Sequence, residues 1–270
     1  MRNRCRWSLL LACICVALTG SAKVDSRGRV LIIQDERPQV EVLAAYLEHH
    51  GGLRAEIVDQ QHIPTDLSVY KAVIVFIHHR LDPHTERVTI DYCRQGGRWI
   101  GLHHTISKAR QTQNKPLMEA LGVALLGGKV EAGGYVFQHD VDWLFVNVNP
   151  THYITSHDVS WPDQVRYKPS DAPSLEGTFP AVRLSGSEIY LNHTFTDGRE
   201  KTVLCGLEYT DKKTGVTFMQ DRGAWLKPYG AGYLVFMQPG HAVSDYEKPS
   251  VAQMILNAVR WDPTEPYAAR

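Results

Sequence analysis

Gly96-Gly97-Arg98-Trp99-Ile100-Gly101-Leu102-His103-His104-Thr105 reads as a turn, a short buried strand and a sharp exit carrying two histidines. The paired glycines permit backbone angles that other residues resist. Trp99, Ile100 and Leu102 suit a buried strand, and Gly101 lets the chain pack closely just before the strand ends. In an open α/β sheet, ligands bind outside the carboxyl ends of the strands. A histidine pair at such an end is therefore a candidate site. Neighbouring side chains on extended backbone point to opposite sides, so only one of His103 and His104 is expected to face it unless the turn bends between them.

Working outward toward the amino end, the same grammar repeats. Arg29 to Gln34 is a continuous apolar strand of the kind found in sheets covered on both faces. Asp35-Glu36-Arg37-Pro38 forms its exit, and Pro38 can open a helix. Val40, Leu43, Ala44 and Leu47 recur at helical spacing, and Gly51-Gly52 closes that helix. Ala55 to Val58 and Ala72 to Ile77 are further strands, the latter ending at His78-His79. Thr85 to Gln95 is a helix leading into the histidine-bearing strand. This β-α-β-α-β order predicts a flavodoxin-like, doubly wound, mostly parallel α/β sheet with right-handed crossovers.

Toward the carboxyl end the pattern changes. Asn114 to Leu121 suggests a short helix, residues 122 to 134 a glycine-rich loop, and residues 151 to 180 an irregular polar stretch. Strand character appears in Tyr135 to Val148, Glu188 to Leu191, Thr202 to Leu207 and Tyr233 to Met237. Ser250 to Trp261 is a helix with Val251, Met254, Ile255 and Ala258 on one face. The second half thus adds a β-rich insertion to the doubly wound core.

Arg2, Arg4 and Arg6, the apolar run Ser8 to Leu18 and the small residues Thr19-Gly20-Ser21-Ala22 make a signal peptide over residues 1–22, leaving one domain over 28–265. The run is too short to span a bilayer, so no integral membrane span is expected. Export to the periplasm or outside the cell follows; Leu10-Leu11-Ala12-Cys13 imitates a lipoprotein box only loosely. Cleavage removes Cys5, Cys13 and Cys15. The remaining Cys93 and Cys205 make no disulfide framework and read as small buried apolar residues. Formal net charge is zero, and the basic residues are scattered, which argues against a nucleic-acid partner.

The polar groups placed at the sheet's carboxyl edge, or on the insertion facing it, are His103, Glu188, His193 and His241. His241 follows a strong strand and a Pro-Gly turn, the same situation as His103. Glu188, Tyr190 and Asn192 share a face by alternation and His193 does not, so Glu188 and His193 converge only if the strand ends near Leu191 or bulges. Two chemistries suit the set. One is general acid–base catalysis by a histidine and a carboxylate. The other is a divalent metal such as zinc, held by His103, Glu188, His193 and His241 gathered from separate loops. Asp35 at the first strand's exit reads either as a helix cap or as a ligand for a substrate hydroxyl. His104, Tyr190, His193, Trp225 and Gln238 complete the candidate substrate-binding set. Trp143, Trp161 and Tyr229 are further stacking candidates. His139, His152 and His157 read equally as site or ordinary loop histidines.

Together these stretches resemble the ThuA-like family, named for trehalose utilisation, an offshoot of the class I glutamine amidotransferase-like fold. The resemblance runs from Arg29 to Trp261. It rests on Gly101-Leu102-His103-His104, His152-Tyr153-Ile154-Thr155, Glu188-Ile189-Tyr190, Trp225 with Tyr229-Gly230-Ala231-Gly232, and Gln238-Pro239-Gly240-His241. The chain departs from the family pattern at Tyr153, Ser187 and Ala231, where a proline, an acidic residue and a basic residue are usual. Amidotransferases of this fold carry a nucleophilic cysteine on the strand-to-helix elbow, whereas the corresponding residue here is His103. Imidazole is a poor acyl-transfer nucleophile but a good proton shuttle or metal ligand. The resemblance implies an exported carbohydrate-active enzyme working on glucosides or 3-keto sugars, with His103 as base or ligand, Glu188 as partner acid and His241 as ligand or electrostatic stabiliser. The other reading is a non-catalytic sugar-binding module using the same cleft, distinguished by sugar binding without product.

Overall fold

The computed structural model describes residues 28–265, apart from residue 199, together with residue 267. The signal-peptide reading of residues 1–22 lies outside the described residues. In chain order the elements are β1 (Arg29–Gln34), α1 (Arg37–Gly51), β2 (Arg54–Val58), β3 (Ala72–Phe76), α2 (Pro83–Arg94) and β4 (Arg98–Leu102). After β4 come α3 (Lys108–Gln113), α4 (Lys115–Leu121), β5 (Val123–Leu125), β6 (Val136–Asn147), α5 (Tyr153–Ser156) and β7 (Asp163–Tyr167). The chain continues with β8 (Gly177–Leu191), β9 (His193–Phe195), β10 (Thr202–Thr210), β11 (Thr217–Tyr229) and β12 (Gly232–Met237). It closes with α6 (Val243–Tyr246) and α7 (Pro249–Arg260).

Ten strands form one sheet in the order β2-β1-β3-β4-β12-β11-β10-β6-β8-β7, and β5 pairs with β9 separately. From β2 to β12 every pairing is parallel. From β12 to β7 every pairing is antiparallel. The β-rich insertion therefore extends the doubly wound core edge to edge, entering after β4 and returning at β12 directly beside it. Four strands escape the hydropathy pattern: the short β5 within the glycine-rich stretch, β7 within the polar one and β9 just after β8, and the long β11.

Alternation along the parallel strands divides the core. Val30, Ile32, Ile74, Phe76, Ile100 and Val235 face α1 and α7. Leu31, Ile33, Val73, Val75, Trp99 and Leu234 face α2 and α4. Helix boundaries follow their caps. Gly52 adopts φ 59° and returns its N–H to Glu48 and Leu47, ending α1. The Asp82 carboxylate accepts from the His84 N–H, with Pro83 in the first turn of α2. Cys93 and Cys205 are free and buried, as their sequence context implied. Among the described residues no helix is long and apolar enough to cross a membrane.

A bulge-bearing ribbon carries part of the insertion over the carboxyl edge of the parallel strands. β10 pairs with β6 only from Leu144 to Asn147, while β6 and β8 pair from Val136 to Val146. The segment from Val136 to Trp143, with its β8 partners, thus runs on as two strands alone. The Gln238 side chain at the end of β12 pins it, accepting from the Tyr190 N–H at 3.0 Å and donating to the Tyr190 carbonyl at 3.2 Å.

Candidate active site

His103 follows β4 and takes φ 45°, a left-handed conformation uncommon outside glycine. That residue opens a single 3₁₀ turn, His103–Thr105. The Thr105 hydroxyl donates to the Leu102 carbonyl at 2.8 Å and holds the turn closed. The bend brings both histidines to one side, so the alternation argument that allowed only one of them to face the site does not hold here. Gly101 is what lets the turn fold back: a Cβ there would sit 2.4 Å from the Trp99 ring and 2.9 Å from Thr105 Cγ2.

Glu188 lies at the centre. Its Oε2 is 2.9 Å from His103 Nε2, 3.0 Å from His241 Nδ1 and 3.8 Å from His104 Nε2. Its Oε1 is 3.5 Å from His139 Nδ1. Glu188 is only 2 % exposed and His103 fully buried, whereas His139 is half exposed and His241 about a quarter. His139 reaches the cluster because β6 holds an extra residue between Gln138 and Val141 relative to β8, with Asp140 at φ 53°. A bulge of this kind re-aims a side chain.

The tautomer of His103 is determined by its surroundings. Its Nδ1 lies 2.7 Å from the Gln238 carbonyl oxygen, which can only accept, so Nδ1 carries a proton. The Nε2 then faces Glu188 Oε2 and, at 3.2 Å, the Tyr190 hydroxyl. That hydroxyl also lies 2.6 Å from His104 Nδ1, linking the two rings. His104 Nε2 is buried without a hydrogen-bond partner, and the polar neighbour of His241 Nδ1 is Glu188 Oε2. Burial pushes the His104 imidazole far below its usual value, and neighbouring His103 and His78 add to the effect, so it is neutral. Burial would raise the Glu188 carboxyl, but His103 and His241 outweigh it and hold the group well below the usual carboxylate range. Glu188 in turn raises His241, against the opposing effect of burial.

An ionised carboxylate and neutral imidazoles are the donor forms that bind a divalent cation, and a cation seated beside Glu188 would take the place of the proton that His241 otherwise holds there. One ligand atom each from His103, His104, Glu188 and His241 lies within 4.8 Å of the others. Four ligands at tetrahedral zinc stand roughly 3.5 Å apart, so the set fits such an ion with small adjustments.

The rim is built by the other strand ends. Asp35 neither caps α1 nor stands free for a sugar. Its carboxylate accepts the N–H groups of His78 and His79 at 2.7 and 2.8 Å, tying the exits of β1 and β3 together. His78 contacts Glu36 and stacks on His104 at 3.8 Å, with the rings 4° from parallel. Asp245 steadies the His241 loop, accepting from Ser187 Oγ at 2.7 Å and from the Gly240 N–H at 3.0 Å. Ser187, where the family resemblance leads one to expect an acid, therefore faces the Asp245 carboxylate.

Several expected site residues lie elsewhere. β8 does end at Leu191, but Asn192 at φ 63° turns His193 away into the other core. There it packs beside Phe195 and Phe236, fully buried with both ring nitrogens unpartnered, and is no ligand of this cluster. Trp225 is fully buried between Phe195 and Phe236 and offers no face to a sugar. Trp143 and Tyr190 are buried as well, and the Tyr190 ring stacks on His103 at 4.8 Å, so that neither offers a face to a sugar. Gln238 is buried and works as a brace. His152 caps α5. The rim residues Glu36 and His78 had no motif to mark them beyond their place at strand ends.

The comparisons agree with this architecture. No curated protein matches the chain in sequence. A ThuA-like protein from Bacteroides uniformis superposes with TM-score 0.54 at 17% identity, over 87% of this chain and 91% of that one. The carbohydrate deacetylase Agd3 gives 0.52 at 9% identity, over 84% of this chain and 32% of its own. A glutamine amidotransferase from Thermotoga maritima gives 0.48 at 11% identity, over 87% and 96%. The sequence model of the ThuA family, described as trehalose utilisation, matches residues 29–262 and so takes in every strand of the large sheet and every member of the histidine cluster. On that match the chain belongs to the ThuA family.

Proposed function

We propose that this chain is an exported carbohydrate-active enzyme, acting on glucosides or their 3-keto forms at a divalent-cation centre held by His103, His104, Glu188 and His241. The observation that carries this reading is the convergence of three imidazoles on one buried carboxylate oxygen, with His104 Nε2 left without a hydrogen-bond partner. A bound cation would polarise a sugar carbonyl or hydroxyl as a Lewis acid. The Gln238 carbonyl holds the His103 ring in one tautomer. Glu188 neutralises the centre, and the half-exposed His139 stands where a proton must enter or leave the cleft. The family's trehalose-utilisation description supports a sugar as substrate. A cysteine nucleophile has no place in this scheme, because both described cysteines are buried.

The test is elemental analysis of the purified mature protein, alongside a screen of native and 3-keto disaccharides followed by mass spectrometry of the products. About one divalent cation per chain, with product formed from a sugar, supports the reading. Sugar binding without product would instead make the chain a binding module. Absence of any cation after loading with zinc would overturn the metal centre. Export is tested separately by the mature amino terminus, expected at Lys23.

A further inference from the structure

Three large hydrophobic side chains stand exposed among the described residues: Leu126, Phe137 and Val216. Phe137 alone lies on the ribbon that carries Glu188. It pairs directly with Tyr190 across the β6–β8 ladder, and paired residues project from the same face of a sheet. Tyr190 points its hydroxyl at His103 and His104, so Phe137 flanks the same side of the cleft. Its ring centre is 5.1 Å from that of His139, which contacts Glu188, and His139 is 5.4 Å from His241. An apolar ring 49 % exposed thus stands one imidazole away from the centre.

Resting on the reading that this centre takes a carbohydrate, we propose that Phe137 is the platform on which the apolar face of a pyranose ring lies. Phe137 has no polar atom and can move no proton. An aromatic face offers a sugar's axial C–H groups a dry surface, while its hydroxyls turn to polar neighbours. Those neighbours are present on both sides: His139 and His241 inward, Glu36 and His78 across the rim. The bulge at Asp140 holds His139 beside Phe137 and so couples platform and centre. Phe137 is accordingly a positioning residue that selects ring-form saccharides with an unobstructed apolar face.

The experiment measures binding of trehalose, maltose and cellobiose by calorimetry to the zinc-loaded protein and to Phe137→Ala, Phe137→Trp and Leu126→Ala. Sugar protons are mapped by saturation-transfer NMR. Phe137→Ala is expected to weaken binding by about tenfold, the loss of roughly half the burial of a phenyl ring. Phe137→Trp is expected to restore it and Leu126→Ala to leave it unchanged, with cation content the same in all four. Saturation transfer should fall on the C–H protons of one ring face. Equal affinity in Phe137→Ala overturns the platform while leaving the sugar reading standing. Binding of none of the three sugars overturns both. Concentration-dependent dimerisation abolished by Phe137→Ala would assign the ring to a self-contact and also overturn the proposal.

Discussion

His103 Nδ1 lies 2.7 Å from the carbonyl oxygen of Gln238, at the exit of the strand paired with its own. A carbonyl cannot donate, so the proton on this imidazole is assigned by the fold itself. The opposite nitrogen is directed at a carboxylate oxygen 2.9 Å away. Two lone pairs at that distance repel unless a proton or a cation lies between them. The relation between His103 and Gln238 therefore makes the space beside Glu188 a seat for positive charge.

That seat is tested by Glu188→Gln. The amide keeps the size of the side chain and can donate to His103 Nε2, so the buried ring is left with a partner. The melting temperature should change little. Cation content should fall sharply, because the single anionic ligand is gone. If the chain acts on a sugar as proposed, turnover should drop by roughly 10²–10⁴-fold, the usual worth of a positioned acid or base. Full cation occupancy in this variant would remove Glu188 from the centre.

Gly101→Ala tests the packing that allows the histidine turn. The added methyl would meet the Trp99 ring at 2.4 Å and Thr105 at 2.9 Å. Trp99 is fully buried and has no room to yield. Overpacking of this kind costs about 1–3 kcal/mol, or about 2–4 °C of melting temperature per kcal/mol in a domain of this size. Calorimetry gives the value. A variant as stable as the parent would mean that the turn is not held by this contact.

His193→Leu separates a core histidine from a ligand. The imidazole is fully buried with neither nitrogen partnered, and burial pushes it well below its usual value. Removing a buried polar group that has no partner recovers its desolvation cost, about 1–3 kcal/mol. Urea unfolding should show the variant equal to or more stable than the parent, with cation content and sugar binding unchanged. Lost cation would return His193 to the centre.

The parallel half of the fold is legible because its strands are unbroken apolar runs closed by glycine, proline or histidine pairs. The antiparallel half is less so. β11, a strand that hydropathy does not mark, carries Gln220, Asp221 and Arg222 in mid-strand; Asp221 is buried, and Arg222 reaches Asp171 and the His193 carbonyl. The cluster itself is only half written in residue types. His103, Glu188 and His241 are marked by their place at strand ends and in motifs. Three non-glycine residues at positive φ decide the rest: His103 brings His104 in, Asp140 brings His139 in, and Asn192 takes His193 away. No local pattern announces a left-handed aspartate or asparagine in advance, since each is held there by the tertiary structure around it.

His152 carries a prediction about acid. Its Nδ1 accepts the Ile154 N–H at 3.1 Å and caps α5, which packs on α7 through Ile154. Only an unprotonated Nδ1 can accept, and burial lowers the group to about 4. An unfolded histidine titrates near 6.5. Between these values the unfolded chain binds the extra proton and the folded chain does not, so stability rises with pH across that window. The contribution is complete above about 6.5 and is lost as pH falls toward 4. His152→Asn keeps a side-chain acceptor at the cap without the titration. Urea unfolding from pH 4 to 7 should therefore show a shallower pH dependence in the variant, with the two proteins differing most at the acid end relative to their values at pH 7. Parallel curves would mean that the cap is protonated in the folded state and that the helix does not depend on it.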